Sequence, residues 1–387
     1  MQLESSSDRS PASPPAPAGL RVLQVGKYYP PHMGGIETHL QALSGELRKS
    51  VDLRVIVASD GREQVDQMQD GVSISRIPTR LTLASTPLCP GMISAIRRCT
   101  ADIIHIHWPN PTAVLAYLAS GHSGRLVVTY HSDTVRQKIL GALFEPYLHR
   151  TLQRSSAIIA TSPEYRATSP ILARYLDRCH VIPYGIELEQ FERSDAAAVA
   201  EVRERYGDRL VLAVGRLVYY KGFEHLIRAM QHIRGKLVII GDGPLRGKLR
   251  DLSAAPELKD KVVFAGEIQN QHVTPYYHAA QVFALPSVAR SEAFGIVQIE
   301  AMAAGLPVVN TQLDSGVPFV SLHDQTGLTV PPANPEALAG AINRLLDDFD
   351  LRRSLGRNAI LRARQEFSLD VMVSRTLALY QHVAGRS

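Results

Sequence analysis

Ser291-Glu292-Ala293-Phe294-Gly295-Ile296-Val297-Gln298-Ile299-Glu300-Ala301-Met302 decides how this chain folds. Gly295 opens a helix expected over Ile296–Ala304. Its first backbone N–H groups lack intrahelical partners and point at the preceding loop. Glu292 lies just before the helix and Glu300 about one and a half turns inside it. Carboxylates near a helix start can simply complement its dipole. The rest of this helix is small and apolar, as in a buried element, and a carboxylate at Glu300 in such surroundings needs a polar partner.

Working outward, the flanking runs Val282–Ala284 and Pro307–Asn310 read as buried strands. Before them lie Leu210–Val214, Lys236–Ile240 and Val262–Ala265, separated by helical stretches near Gly222–Ile233, Gly243–Ala254 and His272–Ala280. Residues 335–384 read as helical to the end. The first half repeats the plan. Strands are expected at Leu20–Gly26, Leu53–Ala58, Ile103–His107, Leu126–Tyr130, Ala157–Ala160 and His180–Ile182, with a helix over Ile36–Lys49. Strands alternating with helices imply parallel sheets of βαβ units. The fold class is therefore α/β: two Rossmann-like, doubly wound parallel-sheet domains facing a cleft. Pro183-Tyr184-Gly185 punctuates the join. The expected division is a disordered Ser/Pro/Ala-rich leader over 1–19, a first domain over 20–183, a linker over 184–207, a second domain over 208–365, and a last helix over 366–387 packing back on the first domain.

Open α/β sheets bind ligands at the carboxyl ends of their strands, and two further motifs fall there. Lys27-Tyr28-Tyr29-Pro30-Pro31-His32-Met33-Gly34-Gly35 follows the first strand. Paired glycines before a helix let backbone approach a ligand, and the helix start attracts phosphate; a purely structural turn reads the same way. Gly215-Arg216-Leu217-Val218-Tyr219-Tyr220-Lys221-Gly222 follows the first strand of the second half. Arg216 offers a planar fork and Lys221 a point charge, and from one loop both can reach one diphosphate. Two surface cations are the bland alternative.

With these pieces in order, the chain resembles the retaining glycosyltransferases of family 4, which have the GT-B fold. E-A-F-G-I-V-Q-I-E resembles their E-x7-E signature; G-R-L-x4-K-G, G-D-G-P at Gly241–Pro244, and G-G-I-E-T-H at Gly34–His39 match in order, over about residues 20–385. The resemblance implies roles. Arg216 and Lys221 would neutralise the donor diphosphate, Glu300 would hold the ribose hydroxyls, and Glu292 would contact the transferred sugar. Backbone amides of Phe294, Gly295, Ile296 and Val297 would hold sugar and phosphates. Gly34 and Gly35 would let the first domain close on the diphosphate. His131, after a first-domain strand, would lie beside the sugar, and Ile268 would touch the base through its backbone. Fixed cations and helix dipoles stabilise a leaving diphosphate without reorganisation, so no metal or cofactor is expected. Asp348-Phe349-Asp350 fits the D-x-D of metal-dependent transferases but sits in the helical C-terminal region and reads as surface.

Composition bounds the rest. Of 387 residues, 45% are hydrophobic and 20% charged, which supports packed cores and excludes global disorder. Cys89, Cys99 and Cys179 form no C-x-x-C pair, which argues against a zinc site or a disulfide framework and favours a reducing cytosol. Neither a secretory signal nor an apolar run of about 18–20 residues is evident. The expected location is cytoplasmic, with peripheral contact at the inner membrane face. Residues 20–180 carry six more Lys/Arg than Asp/Glu, whereas 181–387 are balanced. That excess suits an anionic partner, a membrane surface included. Nucleic acid is not expected, because no dense basic run with interleaved aromatics is present. His105 and His107 share one strand face and, without a third ligand, do not make a metal site. His32 and His39 read as capping or packing residues, and Trp108 as a packing residue.

Asn310–Ser321 resembles bacterial transferases that build surface polysaccharides. The implied donor is a nucleotide-sugar, GDP-mannose first and UDP- or dTDP-sugars as alternatives. The implied acceptor is a glycan or a polyprenyl-diphosphate-linked glycan. A GT-B sugar-nucleotide epimerase and a non-enzymatic nucleotide-sugar binder are the rival classes.

Overall fold

The computed structural model describes residues 19–32, 34–83, 86–133 and 138–385. Residues 1–18 of the expected leader, and Met33 of the Gly-Gly loop, lie outside the described residues. The first half holds an eight-stranded sheet in the order Cys179–Val181, Ser155–Ala160, Arg125–Tyr130, Ile103–Trp108, Arg21–Val25, Asp52–Ser59, Val72–Pro78, Val65–Gln69. All neighbours are parallel except the last pair. Residues alternate between its faces. Leu23, Val25, Ile104 and Ile106 enter one core, and Val22, Val55, Val57 and Ile103 the other.

The second half holds six parallel strands in the order Val262–Gly266, Lys236–Ile240, Leu210–Val214, Val282–Leu285, Val308–Thr311, Gly327–Val330. Covered on both faces, they read as unbroken apolar runs: Leu210 and Leu212 enter one core, Val211 and Ala213 the other. Strand order reverses between Leu210–Val214 and Val282–Leu285, and such a switch point opens a crevice at the strands' carboxyl ends.

Several elements differ from the sequence reading. Val65–Gln69 and Val72–Pro78 form a hairpin through Asp70 and Gly71, both at positive φ (51° and 75°). This is the Asp-Gly turn that matches strand twist, and the polar residues alternating along both strands hide it. Gly327–Val330 is a short edge strand. Within the stretch read as linker, Glu189–Glu192 and Ala196–Tyr206 are helices, and Phe191, Val202 and Tyr206 are buried in the second core.

The chain crosses between the halves twice, side by side. Ile186 N–H donates to Phe367 C=O (3.0 Å), and Leu369 N–H to Ile186 C=O (2.9 Å). A Cβ on Gly185 would stand 2.4 Å from Ser368 O, so the crossing requires glycine. Helix Leu369–Ala384 then buries Leu369, Met372, Leu379 and Tyr380 against Leu40, Leu43 and Leu47 of helix Gly35–Leu47. Asp348 caps helix Phe349–Glu366 by accepting from Leu351 N–H (2.9 Å). No helix among the described residues is long and apolar enough to cross a membrane.

Close packing at the switch point gives the first prediction. Gly222 has φ +67°, and a Cβ there would lie 2.0 Å from Pro286 O. Gly222→Ala should cost at least about 2–3 kcal/mol from backbone strain and overlap. A denaturant titration checks it, and an unchanged midpoint would refute the packing.

Candidate active site

Two loops meet where the second sheet's order reverses. One runs from Gly215 to Gly222 after Leu210–Val214; the other runs from Pro286 to Ile296 after Val282–Leu285. The first loop is pressed against the G-D-G turn: a Cβ on Gly241 would stand 2.2 Å from Gly215 O, and one on Gly243 2.6 Å from Leu217 O. This close packing explains G-D-G-P without invoking a ligand.

Lys221 ends the first loop in a short 3-10 turn, Tyr219–Lys221. Its Nζ lies 2.7 Å from Glu292 Oε2, with both side chains about 90% buried. Ser287 Oγ donates to the same oxygen at 3.4 Å. Arg216, at the start of the loop, is exposed. The loop thus carries one exposed cation, Arg216, and one buried and paired cation, Lys221.

Glu300 accepts a 2.6 Å hydrogen bond from Tyr277 OH. Burial raises its carboxyl above the ordinary range, while the Tyr277 bond and the Lys221 charge pull it back. The helix is Val297–Ala303, shorter than expected. Glu300 therefore lies in its first turn, not one and a half turns inside, because Gln298 and Ile299 N–H close on Gly295 and Ile296 C=O (2.9 and 2.8 Å). Gly295 turns the chain at φ +78°. Phe294 is buried against Tyr184, Phe319 and Phe367. Ile296, Val297 and Ile268 are half-buried beside the same core.

In the first half, Gly34 is the N-cap and Gly35 the first residue of helix Gly35–Leu47. A Cβ on Gly35 would meet nothing within 4 Å, so local packing does not account for glycine there. His131 is buried and follows Arg125–Tyr130. Its Nδ1 lies 2.5 Å from Tyr184 OH and its Nε2 3.1 Å from His107 Nδ1. His107 Nε2 lies 3.3 Å from Gln24 Oε1, which can only accept. The tautomers follow: His107 donates from Nε2, His131 donates from Nε2 to His107, and Tyr184 donates to His131. Gln24 Nε2 also donates to Tyr380 OH (3.4 Å), which lies 2.6 Å from His105 Nδ1. Both ring nitrogens of His131 are thus engaged by protein, and none is free for a ligand in this state.

Other residues joining the halves were not picked out from the sequence. Arg290, two residues before the E-x7-E stretch, lies 3.1 Å from Asp133, donates to Thr168 C=O (2.9 Å) and stacks over Tyr165. Tyr184 stacks on His131 and meets Phe294 edge-on, with centroids 5.0 Å apart. A bulky aromatic between Pro183 and Gly185 was the available signal.

Two parallel α/β sheets joined by a double crossing, with loops meeting at a switch point of strand order, define the GT-B architecture of glycosyltransferases. Residues 33–190 match the model described as Glycosyltransferase Family 4, and residues 196–362 that described as Glycosyl transferases group 1. The O-antigen chain mannosyltransferase C of Escherichia coli is 33% identical over 93% of this chain and 98% of its own. The D-rhamnosyltransferase WbpZ of Pseudomonas aeruginosa is 32% identical over 90% and 92%. A sucrose-phosphate synthase from Thermosynechococcus elongatus superposes with a TM-score of 0.76 at 24% identity, over 95% of this chain and all of its own. The chain belongs to the family 4 glycosyltransferases and is a hexosyltransferase.

Proposed function

We propose that the chain transfers a manno-configured hexosyl group, with retention, from GDP-mannose or a 6-deoxy analogue to a lipid-linked glycan in polysaccharide biosynthesis. The carrying observation is the Lys221–Glu292 ion pair at the switch point. A buried lysine at a crevice where diphosphates bind is a fixed counter-charge for the leaving group. Binding moves Lys221 partly onto phosphate and frees Glu292 for hydroxyls of the sugar. Arg216 takes the outer phosphate oxygens. Glu300 holds the ribose diol, and the amides of Phe294, Gly295, Ile296 and Val297 hold sugar and phosphate. Gly34 and Gly35 let backbone approach the diphosphate, and Ile268 meets the base. Movement of Tyr184 releases His131 Nδ1 toward the sugar. These residues carry the charge stabilisation without a metal ion or cofactor. The manno preference is supported by two relatives named for mannose and D-rhamnose, the latter 6-deoxymannose.

Residues 20–183 are read as one domain and 208–365 as the other, with the helices of 184–207 packed into the second core. The first domain is the acceptor side, where a cavity of about 530 Å³ opens beside Pro30, Pro31 and His32, lined by Asp60, Gln69 and Arg76. Its six excess positive charges would favour an anionic cytoplasmic leaflet by up to about 1 kcal/mol per well-placed cation. Flotation with anionic vesicles should exceed that with neutral ones, and equal recovery would remove the membrane from the proposal.

The test is thermal shift and slow hydrolysis with GDP-, UDP-, dTDP- and ADP-sugars in EDTA. GDP-mannose should stabilise most, by about 2.7 kcal/mol at a hundredfold excess over Kd. A larger shift with another base overturns the donor assignment, and an epimerised nucleotide-sugar formed without acceptor marks an epimerase.

Glu300 gives a sharper prediction. Glu300→Gln should lower kcat/KM for donor by about 10–100-fold, mainly through KM, as expected for losing hydrogen bonds to a charged acceptor. The carboxylate form is the one that accepts ribose hydroxyls, so donor affinity should fall as pH drops through its raised pKa. Tyr277→Phe removes a bond that lowers that pKa and should move the acid limb to higher pH. An unmoved limb would show that Glu300 does not titrate in donor binding.

A further inference from the structure

We propose that His39, His107 and His131 form a latent site for a divalent transition-metal ion of the zinc class, whose occupation withdraws His131 from the reaction. One ligand nitrogen from each of the three lies within 4.8 Å of the other two. Their ring centroids form a near-equilateral triangle, at 5.6 Å for His39–His107, 5.2 Å for His39–His131 and 5.3 Å for His107–His131. A tetrahedral ion with bonds of about 2.0–2.1 Å needs ligand nitrogens about 3.3 Å apart. His107 Nδ1 and His131 Nε2 already stand at 3.1 Å, so only His39 has to close in.

The surroundings suit ligation. His39 is 9% exposed, and its Nδ1 is buried without a hydrogen-bond partner. Gln24 fixes the tautomer of His107 so that its Nδ1 carries the lone pair. Tyr184 stands at the far nitrogen of His131. Such outer partners orient metal-bound imidazoles. Burial also lowers the pKa of all three, most explicitly His39, to about 4. Binding needs one rearrangement: the His131 proton moves from Nε2 to Nδ1, where Tyr184 oxygen accepts it. No proton is lost, and the fourth position is left for solvent, as in open three-histidine sites. Access comes when Tyr184 and Phe294 part between the halves.

A cavity of about 10 Å³, lined in part by His39 and Thr161, has room for one water molecule, and Thr161 Oγ1 is also unpartnered. A water shared by these two atoms would satisfy His39 without a metal.

The metal site rests on geometry alone; only its inhibitory effect rests on the transferase reading. Titration of the full chain with Co²⁺ should therefore be read in two ways. The visible absorption should show the intense bands of four-coordinate Co²⁺, abolished by Zn²⁺ competition. His39→Gln should weaken Co²⁺ binding at least tenfold and keep turnover in EDTA, while wild-type turnover falls on adding Zn²⁺. Thermal melts of both proteins establish that the variant folds. Absence of four-coordinate bands in the wild type, or equal binding by His39→Gln, would overturn the site. Metal binding with undiminished turnover would overturn the inhibition and leave the site standing.

Discussion

Lys221→Ala is expected to lower turnover by about 10²–10³-fold, the loss typical of one fixed electrostatic contact to a developing charge. The same substitution should cost about 3 kcal/mol of stability, the low end for breaking a buried pair, because it leaves Glu292 without its partner at 2.7 Å. The two effects separate. In Lys221→Ala/Glu292→Gln the orphaned charge is gone, so stability should return while turnover stays low. Arg216→Ala should reduce turnover with little change in stability, since Arg216 is exposed. Turnover measured at saturating donor, with a denaturant melt of each variant, distinguishes these outcomes. Wild-type turnover in the double variant would sink the role given to Lys221. Full stability in the single variant would show that the pair does not hold the loop.

The pieces legible in the sequence are those set by local pattern. Leu210–Val214 and Lys236–Ile240 were placed to the residue, because strands covered on both faces are written as apolar runs between glycines. Lys221, Glu292 and Glu300 could be named because they flank strand ends at fixed spacing. Their pairing could not: Lys221 lies 71 positions from Glu292, and only the switch of strand order brings their loops together. Tyr277 escaped notice because its hydroxyl bond to Glu300 links two helices. His39 and His107 were read singly, as a packing residue and as an incomplete metal pair. The third member, His131, directly follows the neighbouring strand of the sheet, and His39 lies on helix Gly35–Leu47. Periodicity reports which face a side chain takes, not which distant faces converge.

That convergence carries a large pH dependence. His39 and His105 are held down to about 4 and about 3, by burial first and for His105 by neighbouring His39 next. His107 and His131 are lowered in the same direction by burial and by one another's cluster. In the unfolded chain each titrates near 6.5. The folded state keeps them neutral, so the unfolded state binds more protons below that value. Stability is therefore fully present above about pH 6.5 and is lost as pH falls. At pH 5 each such histidine costs about 2 kcal/mol, or about 4 kcal/mol for His39 and His105 alone. Glu300 works the other way, since a carboxyl raised by burial is relieved when protonated, but it is one group against four. Urea titrations at pH 7 and pH 5 should show the drop, and His105→Asn should flatten it by about 2 kcal/mol if its amide keeps the contacts to Tyr380 and Thr129. Equal stability at both values would mean that the cluster takes up protons without unfolding. His131 would then be free to charge in the folded enzyme despite its contacts to Tyr184 and His107.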